Sequence, residues 1–357
     1  MNIVFRVDAE SSIIGTGHVM RCLNLAEELS KNNKIIFITR KFDGHLGSII
    51  KKKKYKVFYL EKKKIRNLLR KDNKIFKKEE KINETKIILK FVKRIFNPIL
   101  IVDHYFLDLS FENLIKNYFK KTIIIDDLAN RKHNCDLIID QNYYNPNHSK
   151  YKKLLVKKSK KVFGPKFALI NKKYKTLRNK IKVRRKKMKK LLIFMGGSDP
   201  SKEIFKAIKG LNLAKLDKCH ANIVVGKAFK FVKELKFLLK KVKFNYKIYI
   251  QTKNMHKLLF NSDLAILSGG MITWEKCVVG AASLVTIKSK NQIINSKALE
   301  NKGAHIITGF SHRTTPNLYK KKIEEIKFDK INSMMEKSKV LCDGNGVKRI
   351  SDLILKN

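Results

Sequence analysis

The feature that most constrains this chain is an alternation of strand and helix patterns that runs once through its first half, dissolves in a basic stretch, and starts again. Met1 to Val7 alternates and concentrates Ile, Val and Phe, and further strand patterns occur at Ile35 to Thr39, Ile99 to Val102, Thr122 to Ile125 and Leu137 to Ile139. Between most of them lie segments with apolar residues three and four apart, such as Phe111 to Phe119, while residues 61–95 read as a lysine-rich helical insertion. Strands alternating with helices fold into a parallel sheet covered on both faces. From Asn171-Lys172-Lys173-Tyr174 to Arg184-Arg185-Lys186-Lys187 the chain is too charged to pack well and reads as a linker. The second alternation begins at Leu191 to Met195 and continues through Ile223 to Val225, Tyr246 to Ile250, Leu264 to Leu267 and Leu284 to Ile287. The expected class is α/β, with domains over 1–171 and 191–330, a basic linker over 172–190 and one or two closing helices over 331–357. At 357 residues the length suits two domains of about 170 residues each.

Composition narrows the partners. The formal net charge is +51, yet the lysines are spread through Lys51 to Lys54, Lys62 to Lys64, Lys152 to Lys161 and Lys182 to Lys190, with no single basic arm and no aromatic-interleaved patch. Compositional drift accounts for that pattern better than a specific nucleic-acid partner, although such a surface draws in acidic substrates such as nucleotide diphosphates. No run of about 18 uninterrupted apolar residues occurs and Asp8 follows the first strand closely, so neither membrane insertion nor a signal peptide is expected. Five scattered cysteines, without a Cys-x-x-Cys pair, read as reduced and structural. These features together predict a cytoplasmic protein.

Glycine turns at strand ends carry the chemistry. After the first strand, Ile14-Gly15-Thr16-Gly17-His18-Val19-Met20-Arg21 leads into a helix whose Val19, Cys22, Leu23, Ala26 and Leu29 recur at helical spacing. Gly15 and Gly17 give backbone freedom beside unpaired helix amides, a setting for an anion next to His18. Arg6, Asp8, Glu10, Ser11, Ser12 and Arg21 crowd the same strand end, and open parallel sheets bind ligands at such ends. Asp103-His104-Tyr105 and Asp126-Asp127 close two more strands and are expected in the same crevice. They do not carry the spacings typical of zinc, so no metal site is expected, and His133, Cys135 and Asp136 read as braces of the following turn. In the second half, Met195-Gly196-Gly197-Ser198-Asp199-Pro200 and Ser268-Gly269-Gly270-Met271-Ile272-Thr273-Trp274-Glu275 repeat the device, Glu275 being placed to accept ribose hydroxyls. Asn291-Gln292, past another strand, stands where a sugar hydroxyl or acetamido group is bound. Taken singly, each of these is an ordinary turn or cap; three glycine turns at three strand ends point to nucleotide binding.

The ordered set of these motifs resembles the pseudaminic acid pathway hydrolase family. The resemblance rests on Phe5-Arg6-Val7-Asp8, Gly15-Thr16-Gly17-His18, Asp103-His104-Tyr105, Asp126 to Arg131, His133-x-Cys135-Asp136, Asp140-Gln141-Asn142, Gly164-Pro165, Gly196-Gly197-Ser198-Asp199-Pro200, Gly269-Gly270 with Thr273-Trp274-Glu275, and Asn291-Gln292, and covers residues 1–310. It implies two Rossmann-like domains facing across a cleft, as in GT-B glycosyltransferases, and a substrate, UDP-2,4-diacetamido-2,4,6-trideoxy-β-L-altropyranose, that is hydrolysed. Under it His18 is catalytic, with Tyr105 and Asn291 near the sugar; Arg6, Asp8, Gly15, Gly17, Asp103 and Gln292 are expected to complete the sugar site. Gly196, Gly197, Ser198, Gly269, Gly270, Thr273 and Glu275 are expected on UDP. Asn171-Lys172-Lys173 replaces a usual Arg-Pro-Glu, Ala282 stands where proline is common, and Lys290 often has an acidic counterpart. The expectation is inverting hydrolysis by water activated on His18, by a monomer with no cofactor, the helix amides after Gly196-Gly197 and Gly269-Gly270 stabilising the diphosphate. A glycosyltransferase acting on a related UDP-amino sugar is the alternative from the same fold; a noncatalytic basic binding protein is the alternative from another class.

Overall fold

A computed structural model describes residues 1–8, 16–41, 45–61, 78–143, 149–180, 188–214, 216 and 218–356. The chain divides into two compact units, residues 1–169 with 346–357, and residues 170–345. The first contains β1 (Asn2–Val7), α1 (Gly17–Leu29), β2 (Lys34–Arg40), α2 (Gly47–Lys52), β3 (Lys56–Leu60), α3 (Lys78–Val92), β4 (Ile99–Asp103), α4 (Leu109–Ile115), β5 (Lys121–Ile125), β6 (Leu137–Asp140) and β7 (Lys160–Phe163). The second runs through α5 (Lys172–Arg178), β8 (Lys190–Phe194), α6 (Glu203–Leu213), β9 (His220–Val225), α7 (Val232–Leu239), β10 (Asn245–Ile250), α8 (Met255–Asn261), β11 (Leu264–Ser268), α9 (Ile272–Val279), β12 (Ser283–Ile287), α10 (Ile293–Asn301), β13 (Ile306–Phe310), α11 (Pro316–Glu324) and α12 (Phe328–Leu341). The final helix, α13 (Gly346–Leu355), returns to the first unit.

Among the described residues each unit is built on one parallel sheet, in the order β3-β2-β1-β4-β5-β6-β7 in the first and β10-β9-β8-β11-β12-β13 in the second. The two are Rossmann-like α/β units. Their strands read as near-continuous apolar runs because both faces are covered. The pleat of the first sheet decides what meets what. Odd residues Ile3, Phe5, Ile99 and Ile101 pack with Val19, Cys22 and Leu23 of α1, whereas Val4, Leu100 and Val102 pack with Ile88 and Val92 of α3. Side chains alternate along a strand, so Asp103 emerges on the α1 side and Arg6 on the α3 side.

The sequence patterns missed β3, β7 and β13. The first two begin at Lys56 and Lys160-Lys161, and the third contains Gly309. All three are edge or near-edge strands in which charge or glycine interrupts the apolar run: β3, β7 and β13 each end a sheet. The basic stretch expected to link the domains is also different at its start, since residues 172–178 form α5. There Tyr174 is buried, and the Arg178 guanidinium donates to the carbonyls of Lys339 and Cys342 at 2.9 Å each. Residues 181–187, the middle of that expected linker, lie outside the described residues, as does 62–77 of the expected insertion. The expected closing segment 331–357 is split, α12 packing with α9 in the second unit and α13 with α1 in the first.

Candidate functional site

Two groups of residues stand at strand carboxyl ends, one in each unit. In the first unit, His18 and Arg21 occupy α1 three positions apart and so share one face. That face meets Asp103 at the end of β4. His18 Nδ1 lies 2.5 Å from Asp103 Oδ1, Arg21 Nε 2.5 Å from Oδ2, and Arg21 Nη2 2.6 Å from Oδ1. Arg21 Nη1 also reaches Asp127 Oδ2 at 3.1 Å. Burial pushes the Asp103 carboxyl up, but the Arg21 guanidinium and then His18 outweigh it and hold the group well below the usual carboxylate range. An ionised Asp103 only accepts, so His18 presents Nδ1–H to it and turns Nε2 away from the carboxylate. The Tyr105 ring packs edge-on against the imidazole, centroids 4.4 Å apart at 89°. Burial, then Asp127, raises the Tyr105 hydroxyl above its ordinary value, so it remains a donor.

The opposite face of the same strand ends holds a second network. Arg6 Nε donates to Glu84 Oε1 at 2.7 Å and its two terminal nitrogens to Asp8 at 2.6 and 2.9 Å, all within the core. Asp8 also accepts the Arg40 amide at 2.7 Å and His104 Nε2 at 3.0 Å. The Phe106 amide donates to His104 Nδ1 at 3.1 Å, which leaves the ring proton on Nε2 for Asp8; burial lowers the His104 pKa and keeps the ring neutral. Arg40 closes the ring of charges by donating to Glu84. The sequence reading grouped Arg6, Asp8 and Asp103 at the sugar. The structure separates them: Arg6 and Asp8 are 0% and 1% exposed and spent on each other, and Asp103 stands behind His18. Of the acidic pair after β5, Asp127 joins His18 through Arg21, whereas Asp126 caps its own turn and pairs with Arg131 at 3.0 Å. His133 and Asp136 brace that region as expected, on Glu112 and the Thr122 amide. Gly17 opens α1; Gly15 lies outside the described residues.

In the second unit the ends of β8, β9, β11 and β12 supply backbone more than charge. Gly196 has φ +90° and Gly270 φ +129°, values only glycine adopts without strain. A Cβ on Gly226, just after β9, would lie 2.3 Å from the Gly197 carbonyl oxygen, and one on Gly269 2.8 Å from Gln292 Oε1. The Gln292 oxygen accepts the Lys288 amide at 2.9 Å, so this side chain folds over Gly269 and ties two loops. Lys288 Nζ reaches the Met195 carbonyl at 2.9 Å and Asp199 Oδ1 at 2.6 Å. Asp199 Oδ2 in turn accepts the Ile204 amide at 2.9 Å, which means a first-turn amide of α6 expected for a ligand is already taken. Ser198 is partly exposed beside these, Thr273 is buried, and Asn291 is exposed, accepting from Ser289 Oγ at 2.5 Å. Glu275 faces the Tyr174 hydroxyl; burial pushes its carboxyl up to about 7 and that hydrogen bond offsets part of the rise. Glu84, Gly226 and Lys288 were given no role from sequence; Arg21 was grouped with the polar residues at the first strand end and Asp199 stood in the glycine-turn motif after β8, without their partners.

Among the described residues no cluster of His, Cys, Asp and Glu is placed to hold a metal, and no helix is long and apolar enough to cross a membrane. Residues 191–354 match the glycosyltransferase family 28 C-terminal domain. An uncharacterised protein of Methanocaldococcus jannaschii, MJ1062, is 30% identical over 287 residues, 78% of this chain; the chain spans 54% of that relative's length. The UDP-2,4-diacetamido-2,4,6-trideoxy-β-L-altropyranose hydrolase of Campylobacter jejuni is 28% identical over 86% of this chain and 98% of its own. The crystal structure of Acinetobacter baumannii MurG is similar over 100% of both chains, with a TM-score of 0.68 and 17% identity. The fold is therefore that of the GT-B glycosyltransferases.

Proposed function

We propose that this protein is an enzyme acting on a nucleotide sugar, and specifically a hydrolase that releases UDP from UDP-2,4-diacetamido-2,4,6-trideoxy-β-L-altropyranose. The observation that carries the reading is His18 held by Asp103 at 2.5 Å with Arg21 pinning the carboxylate. A base needs a fixed ring and a defined tautomer, and this arrangement supplies both. The Campylobacter relative supports the substrate by its name and its near-complete coverage. In the proposed step a water oxygen attacks the anomeric carbon while its proton passes to His18 Nε2. The bond from that carbon to the β-phosphate oxygen breaks, and its electron pair leaves with UDP. UDP is a good leaving group, so the demand falls on positioning the water and on stabilising the departing diphosphate. Attack from one face gives inversion.

Labour is divided between the units in this reading. The first supplies the base and Tyr105; Arg6 and Asp8 hold the strand ends that mount them. The second binds UDP through the turns at Gly196-Gly197-Ser198 and Gly269-Gly270, with Thr273 and Glu275 beside the nucleotide and Asn291 and Gln292 toward the sugar. The family 28 domain match and the MurG fold favour a second reading, transfer of the sugar to an acceptor hydroxyl activated by the same histidine. Incubating the protein with the UDP-sugar in the absence of any acceptor separates the two. Stoichiometric UDP and free inverted sugar are expected; turnover that begins only when a glycan or lipid acceptor is added overturns hydrolysis in favour of transfer.

A further inference from the structure

At the Gly196-Gly197-Ser198 turn of the second unit stands a cation whose place the nucleotide reading does not use. Lys288 follows β12, and its side chain crosses to the end of β8, where the ammonium meets the Met195 carbonyl and Asp199 at the mouth of the Gly196-Gly197-Ser198 turn. An ammonium has three N–H donors. Two have acceptors among the described residues, and the side chain is 15% exposed, against 1% for that of Asp199. The charge arrangement matters as much as the free valence. Asp199 lies just before α6 and its carboxylate already accepts the Ile204 amide, so an incoming diphosphate meets a carboxylate where a bare helix end would attract it. A cation must outweigh that carboxylate before the turn can hold an anion.

We propose that Lys288 is a diphosphate ligand: its third N–H bonds a phosphate oxygen of the nucleotide while Asp199 and the Met195 carbonyl hold it in place, and it carries leaving-group charge as the sugar bond breaks. This rests on the proposed nucleotide reading. Charge-assisted hydrogen bonds to phosphate are among the stronger polar contacts, and a lysine acts there as a point charge, so arginine is expected to substitute for it in part.

The test measures binding of UDP, uridine and inorganic pyrophosphate to the full-length protein by calorimetry, for wild type, Lys288→Met, Lys288→Arg, Asp199→Asn and the double variant. Lys288→Met is expected to weaken UDP and pyrophosphate at least tenfold and leave uridine within twofold, with Lys288→Arg recovering most of the loss. Because Asp199→Asn removes the carboxylate but keeps an oxygen for the Ile204 amide, Lys288→Met is expected to cost a similar factor in that background. If the double variant instead binds UDP as tightly as Asp199→Asn alone, Lys288 only neutralises Asp199 and the proposal fails. An equal loss for uridine and UDP also overturns it, by making the lysine a structural tie. Wild type that binds neither UDP nor uridine would overturn the nucleotide reading, and the pyrophosphate arm would still decide for or against an anion contact by Lys288.

Discussion

The strand ends of the first unit are filled with buried charge, and those of the second with glycine. Arg6, Asp8, Glu84, Arg40 and His104 satisfy one another on one face of the sheet, and Arg21 and Asp103 pair beside His18 on the other, while the second unit relies on Gly196, Gly226, Gly269 and Gly270, with Lys288 and Asp199 paired beside them. The difference separates two physical tasks. Under the proposed function a base must stand at one orientation, and the buried Asp103–Arg21 pair holds His18 there because either member left unpaired would be costly. Under the same proposal a nucleotide site must admit a ligand closely, which backbone without Cβ atoms allows. Charge substitutions should therefore act on rate or stability in the first unit, and shape substitutions on affinity in the second.

The largest effect expected is on rate. Asp103→Asn offers His18 an amide in place of a carboxylate and loosens both tautomer and orientation, so turnover should fall about a thousandfold, with UDP affinity measured by calorimetry unchanged; a parallel loss of affinity would erase the division of tasks. Next comes stability. Glu84→Ala leaves Arg6 and Arg40 with fewer anions in the core and should lower unfolding free energy by about 3–5 kcal/mol, read by urea denaturation; a loss under about 1 kcal/mol, the usual worth of an exposed pair, would mean that the ring of charges is not what holds these strand ends. Gly226→Ala pushes a methyl against the Gly197 carbonyl and should lower stability by about 1–3 kcal/mol, the usual cost of overpacking, and weaken UDP measurably by displacing that turn, while leaving Asp103-dependent orientation of His18 intact. The smallest effect concerns Glu275, whose folded-state value of about 7 lies above that of an unfolded glutamate. A raised value means the stabilisation is fully present below about pH 4 and is lost as pH rises through about 7. Glu275→Gln should therefore gain stability over wild type between pH 5 and pH 8, on the order of 1–2 kcal/mol for a partly exposed carboxyl; parallel denaturation curves at the two pH values would remove this carboxyl from the account.

Much of the fold was legible because parallel strands buried on both faces leave uninterrupted apolar runs, as at Ile99 to Val102 and Leu264 to Leu267. Of the edge strands, Tyr246 to Ile250 was legible but Lys160–Phe163 was not, since only one neighbour pairs it and lysine is tolerated there. The residues that sequence singles out for the site are those of local motifs, His18 at the start of α1 and Gly196-Gly197 after β8. The site was not legible where partners come from distant segments. Glu84 meets Arg6 across 78 positions and Lys288 meets Asp199 across 89, and nothing in a lysine-rich helix marks one glutamate as buried. The pleat offered an unused clue, because Ile99, Ile101 and Asp103 share a face, which sets Asp103 toward α1 and away from Arg6.

The central claim is that His18 is the base of a UDP-releasing reaction, and its most direct test compares wild type with His18→Asn on UDP-2,4-diacetamido-2,4,6-trideoxy-β-L-altropyranose in the absence of an acceptor. The account predicts that UDP release falls at least a hundredfold, the lower range for loss of a positioned base, while UDP itself binds as before. Near-normal release from the variant would contradict it.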